Sequence, residues 1–202
     1  QVASDELTTY MAKLLAERKQ NPQEDLLSVL ANAESEGDKL TDREIIATAS
    51  FLLIAGFETT VNLLSVGTLV LLENPGQLKQ VAGNPELIPN LVEEALRVVS
   101  PVQYTARTSD SDLQLSDGTK VRRGQTIALI LTGANRDPAV FDDPNKFSVS
   151  RENARRNIAF GYGAHHCIGA QLARLEAETL WHELLKRYPD VDSWQQAGTP
   201  KF

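Results

Sequence analysis

From Ala47 to Leu72 the chain carries a single charged residue, Glu58, and as a helix this stretch is long enough to cross a bilayer. A helix that is apolar on nearly all sides must be covered all round, so this segment constrains the fold more than any other. Its hydroxyl and amide residues (Thr48, Ser50, Thr59, Thr60, Asn62, Ser65 and Thr68) and the lack of a basic flank favour cover by protein over cover by lipid. The expectation is a central helix buried in a soluble protein, with no membrane span. Thr41-Asp-Arg-Glu44 is a capping box that opens it. Asn74-Pro75-Gly76 closes it.

Helical spacing also marks Ala3–Gln20, where Leu7, Met11, Leu14 and Leu15 share a face. Asp25–Ala33 reads as a short helix and Glu34–Lys39 as a polar loop. Further helices are expected near Gly76–Ala82, Pro85–Val99 and Ile168–Arg187. Between Ala106 and Leu131, short β-type runs separated by Ser116-Asp-Gly118 and Arg123-Gly124 signal a hairpin. Gly133–Ala164 has little periodicity, and an irregular stretch of that length usually has a functional reason. The predicted class is mainly α with a small β portion. The chain has 202 residues and a formal charge of −7, which argues against a general nucleic-acid binder. Its one cysteine allows no intrachain disulfide and fits a reducing, cytoplasmic compartment.

That cysteine, Cys167, lies in Phe160-Gly-Tyr-Gly-Ala-His-His-Cys-Ile-Gly169. The glycines allow a sharp bend, and the helix that follows places the sulfur near an N-terminus, which favours a thiolate. Axial ligation of haem iron suits such a thiolate. The ordinary reading is a small buried hydrophobe. A zinc site lacks ligands, because the neighbouring His165 and His166 cannot easily share one tetrahedron with Cys167. A dinucleotide fingerprint lacks its third glycine, and a catalytic Cys–His pair stays open.

Two other places break local rules. Gly56 and Glu58 interrupt the apolar helix within Ala55-Gly-Phe-Glu-Thr-Thr60, as a satisfied buried carboxylate would, or as a functional site would. Ala55 and Gly56 leave room for a flat ligand, and Glu58 with Thr59 suits a proton path. Glu94-Ala-Leu-Arg97 puts opposite charges on one helix face, ordinarily a solvated pair.

Together these segments resemble the cytochrome P-450 family, in particular its soluble bacterial members. Phe160-x-x-Gly163-x-His165-x-Cys167-x-Gly169 is similar to the family's haem loop, Ala55-Gly-x-Glu58-Thr59-Thr60 to its oxygen-activating helix, and Glu94-x-x-Arg97 to its buried ion pair. Ala134-Asn-Arg-Asp-Pro138 and Gly169–Glu176 follow the family as well. The resemblance implies haem b with Cys167 as axial thiolate, propionates held by His165 and Arg107, and protons delivered by Glu58 and Thr59 during dioxygen activation. It places Ala55, Val102 and Gln103 at the substrate pocket and Arg151 as a third member of the ion-pair network. Asn157 departs from the pattern, standing where many bacterial relatives have a propionate-binding histidine.

The resemblance further implies a monooxygenase acting on a small or medium-sized apolar substrate, with a ferredoxin-type electron donor. Family members are roughly twice this length, so residues 1–202 are expected to form one partial domain, the C-terminal half of the fold without the N-terminal half. Such a half is expected to leave part of the long apolar helix without protein neighbours, and so to self-associate or bind its missing part. Lys146, Arg151, Arg155, Arg156 and Arg174, against Glu152 alone, form a basic region around the thiolate loop that suits an acidic redox partner or internal ion pairing. Two alternatives remain: a non-catalytic fragment acting by association, and a haem-thiolate peroxygenase or sensor.

Overall fold

In the computed structural model, residues 2–35 and 38–190, with Asp192 and Trp194, are described. Helix α1 spans Val2–Gln20 and α2 spans Leu26–Asn32. The region expected to be a polar loop contains a two-residue antiparallel pairing of β1 (Glu34–Ser35) with β2 (Asp38–Lys39); Glu36 and Gly37 lie outside the described residues. Helix α3 runs without interruption from Asp42 to Glu73. Then come α4 (Pro75–Gly83), a 3₁₀ turn (Pro85–Leu87) and α5 (Ile88–Val99).

Strand β3 (Tyr104–Thr108) pairs antiparallel with β6 (Thr126–Ile130). Inside that hairpin, β4 (Leu113–Gln114) pairs with β5 (Lys120–Val121). A single helical turn, α6 (Leu131–Ala134), begins the irregular segment, which carries 3₁₀ turns at Ala154–Arg156 and Gly163–His165. Helix α7, Ala170–Arg187, completes the described elements.

The chain divides into two compact units, residues 1–58 and 59–202, and the division falls inside α3. In the first unit Leu15, Leu27 and Ile45 form a small core. Asp25 caps α2 by accepting from Ser28 N at 2.8 Å. The hydrogen bond from Arg18, followed by that cap, holds the Asp25 carboxyl down at about 2. The capping box forms as expected: Glu44 N donates to Thr41 Oγ1 at 3.3 Å, and Thr41 N donates to Glu44 Oε2 at 2.8 Å.

In the second unit α5 is the best-covered element, buried from Leu91 through Arg97. It packs in one core with Leu63 and Leu71 of α3, Val149 of the irregular segment and Trp181 of α7. Gly67 lets α3 and α7 approach closely, since a Cβ there would lie 2.9 Å from the Trp181 ring. The indole Nε1 also donates to Thr68 Oγ1 at 3.0 Å, so the ring is fixed at both its edge and its face.

Within these residues the long helix is not covered all round, as expected where half of the fold leaves part of it without protein neighbours. Leu63 and Leu71 face the core, whereas Phe51, Leu53, Ile54 and Phe57 are exposed, Phe57 at 69%. By length and composition the helix would pass as a membrane span. The physical reason for its exposure is simple: the described residues cover only one stripe of a helix that is apolar all round.

Gly67→Ala should destabilise the protein by about 1–3 kcal/mol through overpacking against Trp181. Gly56→Ala, where nothing lies within 4 Å of the added methyl, should instead gain up to about 1 kcal/mol from helix propensity. Urea denaturation of the two variants measures the contrast.

Candidate functional site

The site is built outward from one buried cation. Arg97 on α5 is fully buried, and its guanidinium spends its donors on five acceptors. Nε and Nη2 grip Glu94 Oε2 and Oε1 at 2.7 and 2.9 Å, a two-pronged ion pair. Nη1 donates to the carbonyls of Asn135 at 3.0 Å and Pro144 at 2.7 Å, and Nη2 to that of Lys146 at 3.0 Å. The Phe141 ring lies 5.2 Å from the guanidinium carbon, within cation–π range. The ordinary reading of Glu94 and Arg97 as a solvated pair is therefore set aside.

Glu94 Oε1 also accepts from Ser148 N at 2.9 Å and from Arg151 Nε at 3.1 Å. Arg151 in turn donates to the carbonyls of Asp142, Asp143 and Lys146. A stretch too irregular to satisfy its own backbone is thus held by side chains of α5 and Arg151. Asn135, also fully buried, extends the network. Its Nδ2 donates to Ser100 Oγ at 2.9 Å, and its Oδ1 accepts from Ile158 N at 2.8 Å, at the entrance to the cysteine loop. Ser100, the α5 C-cap, takes a left-handed conformation with φ 41°.

The cysteine loop is closed by Cys167 N donating to Phe160 O at 3.0 Å. Gly161 and Gly163 have φ values of 73° and 76°, which L side chains rarely adopt, so the bend depends on glycine. Gly169 caps α7, which starts three residues after the cysteine. Cys167 is exposed, as are His165, Tyr162 and Ile168, so the thiol is presented and not packed away. The reading of Cys167 as a small buried hydrophobe therefore fails. His166 stands beside Phe160, with ring centroids 6.3 Å apart.

The other predicted site residues are spread over several elements. Arg107 is exposed on β3, opposite Ile127, and its Nη1 donates to Ala106 O at 2.8 Å. Val102 and Gln103 lie just before β3, and Gln103 O accepts from Thr132 N at 3.2 Å. Ala55 and Glu58 belong to the first compact unit and are exposed; Thr59 begins the second and is half-buried. The buried-carboxylate reading of Glu58 does not hold within the described residues.

Two residues, Glu93 and Asn157, acquire roles that sequence reasoning missed, and Arg174 takes the internal ion pairing expected of some of the basic residues. Glu93, 3% exposed, accepts from Arg174 Nε at 2.7 Å and from Asn157 Nδ2 at 2.9 Å. Arg174 also lies over the Phe160 ring at 4.7 Å. Two of the five basic residues assigned to a surface region, Arg151 and Arg174, are therefore engaged in internal ion pairs, while Lys146, Arg155 and Arg156 are exposed.

Mainly helical architecture, a charged network under an irregular segment and an exposed thiol on a glycine bend together define a recognisable class. The cytochrome P450 family model matches residues 1–192, and the chain belongs to that family. It is 43% identical over 183 residues to the biotin biosynthesis cytochrome P450 of Bacillus subtilis, covering 91% of this chain and 46% of that protein. It is 45% identical to the putative cytochrome P450 140 of Mycobacterium tuberculosis, covering 88% of this chain and 41% of the relative. Among solved structures, P450BioI in complex with an acyl carrier protein bearing hexadec-9Z-enoic acid superposes with a TM-score of 0.88 at 41% identity, covering 94% of this chain and 48% of that one. The chain spans less than half the length of these curated relatives.

The family implies a haem cofactor. The residues present fit one: an exposed cysteine sulfur on a glycine bend, and open space at Gly163, where a Cβ would meet nothing within 4 Å.

Glu94→Ala should lose about 3–5 kcal/mol, because it leaves Arg97 buried and unpaired. Arg151→Ala, which leaves the Glu94–Arg97 pair intact, should lose about 1–3 kcal/mol. Equal and small losses in urea denaturation would show that the network does not hold the segment.

Proposed function

We propose that this chain supplies the thiolate-bearing, C-terminal part of a cytoplasmic haem-thiolate monooxygenase. The whole enzyme inserts one atom of dioxygen into a small or medium-sized apolar substrate, with electrons from a ferredoxin-type donor. The observation that carries the reading is Cys167, exposed on a loop closed by its own amide and set at the start of α7. A thiolate there suits haem b, and Arg107 and His165, both exposed donors, suit its propionates. When bound, the haem supplies dioxygen activation.

The chain's own residues do the rest. Cys167, at the start of α7, would hold the haem iron through its sulfur. Glu58 and Thr59, neighbours in sequence on α3, are the residues that would deliver protons. Val102 and Gln103, just before β3, would contact the substrate. An apolar substrate is supported by what relatives carry: a fatty acyl chain on an acyl carrier protein in the P450BioI complex, and corticosterone in CYP109E1 from Bacillus megaterium, which is 40% identical with a TM-score of 0.87. The exposed Lys146, Arg155 and Arg156 favour an acidic donor protein.

The exposed apolar face of α3 favours a second reading, association without catalysis by the isolated 202-residue chain.

Three outcomes are expected. In the full-length, haem-loaded protein, the reduced carbon-monoxide complex should show the red-shifted Soret band of thiolate ligation, and Cys167→Ala should abolish it. An unchanged band would remove Cys167 as ligand. Thr59→Ala should retain substrate binding yet divert electrons into hydrogen peroxide, lowering coupled product by about 10²-fold. Normal coupling would reject the proton relay. By light scattering the isolated chain should dimerise or aggregate, and it should show no coupled turnover. A stable, well-coupled monomer would contradict the partial-enzyme reading.

A further inference from the structure

Glu93 is an acid buried to 3% exposure that the ligand reading does not use. It is next to Glu94 on α5 yet serves a different neighbour. Its Oε1 accepts from Arg174 Nε at 2.7 Å, and its Oε2 accepts from Asn157 Nδ2 at 2.9 Å and, more distantly, Arg174 Nη2 at 3.5 Å. Asn157 stands three residues before Phe160, and Arg174 stands seven residues after Cys167. One carboxylate therefore grips the chain on both sides of the thiolate loop.

Both grips are continued into the loop itself. The Arg174 guanidinium lies over the Phe160 ring at 4.7 Å, and the Phe160 carbonyl is the acceptor for the Cys167 amide. Arg174 Nη1 also donates to Ala170 O at 3.4 Å in the first turn of α7. On the other side, Asn157 Nδ2 donates again to Ala154 O at 3.0 Å, and its Oδ1 accepts from Ala159 N at 3.1 Å. Its amide is thus engaged inside the fold. Asn157, which the sequence marks only as a missing propionate ligand, has a structural occupation of its own.

We infer that Glu93, Arg174 and Asn157 form a positioning clamp that fixes Phe160 against the Cys167 amide and so sets how firmly the thiolate is presented. None of the three is a catalytic residue; they act through Phe160 and the loop backbone. The inference rests on the assignment of Cys167 as haem ligand. Its physical basis is that a buried carboxylate needs its cation, and removing the cation leaves a charge that the loop must move to solvate. Residues that orient a metal ligand from behind typically change metal affinity by about 10–100-fold when lost.

The test uses the full-length, haem-loaded protein with Arg174→Ala, Arg174→Lys, and the double variant Glu93→Gln with Arg174→Met, which removes both charges. The clamp predicts that Arg174→Ala releases haem to an acceptor protein at least about 10-fold faster. It also predicts conversion from the thiolate-type to the non-thiolate carbon-monoxide band, and a higher reduction potential. Arg174→Lys should fall in between, and the double variant should recover most of the loss because no charge is left unpaired. In the haem-free protein, amide exchange at Cys167 should rise by about 10-fold in Arg174→Ala, reading the loop directly. A parent with the thiolate band and variants matching it in haem release, band, potential and exchange would overturn the clamp alone. Lower global stability with unchanged band, potential and Cys167 exchange would overturn it too, leaving an ordinary structural ion pair. A parent without the thiolate band would overturn the ligand assignment and this inference with it.

Discussion

Everything distinctive about this half-fold depends on a guanidinium with no access to water. Arg97 is fully buried and donates to one carboxylate and three main-chain carbonyls. Burial of an ion on this scale is tolerated only where nearly every donor finds a partner. Here the three carbonyl partners belong to the stretch between Asn135 and Lys146, which has almost no regular structure to satisfy its own backbone. The cation therefore fixes the conformation of a segment that hydrophobic burial alone would leave undetermined. From it a line of hydrogen bonds leads through Asn135 to Ile158 and the cysteine loop.

Helix α5 presents two adjacent acids to two different tasks. Glu94 faces Arg97 and Arg151 and holds the irregular segment; Glu93 faces Arg174 and Asn157 and holds the loop and the start of α7. Both are buried, so removing one partner costs far more than at a surface pair, because the other is left charged and unpaired. The exposed thiol is the counterpart of this rigidity. The proposed role as a ligand requires such exposure, with the position of the sulfur set from behind.

Much of this was legible in the chain. The capping box at Thr41 marks the start of α3 because it states a hydrogen-bond pattern, not merely a propensity. The Ser116-Asp-Gly118 turn and the glycine bend before Cys167 are likewise local devices, and they form where expected. What sequence does not carry is partner choice. Glu93 and Glu94 are chemically identical neighbours; the Glu94-x-x-Arg97 pattern names the partner of Glu94, but nothing local names that of Glu93. Arg174 looks like a surface base beside Arg155 and Arg156, and only its approach to a buried acid separates it from them. The one available signal was crowding: Glu93 lies between Leu91, Val92 and Ala95, Leu96, leaving little solvent-facing circumference for a carboxylate. That part of α3 would lack cover was legible from a helix apolar all round in half of a fold, but periodicity does not say which residues are left exposed.

The central claim is that these networks hold Cys167 as the ligand of a haem. Iron-edge X-ray absorption of the haem-loaded, full-length protein tests it most directly. The account predicts one sulfur scatterer in the first coordination shell, replaced by a lighter atom or lost in Cys167→Ser. A first shell of nitrogen and oxygen alone in the parent, or a sulfur signal that survives in Cys167→Ser, would contradict it.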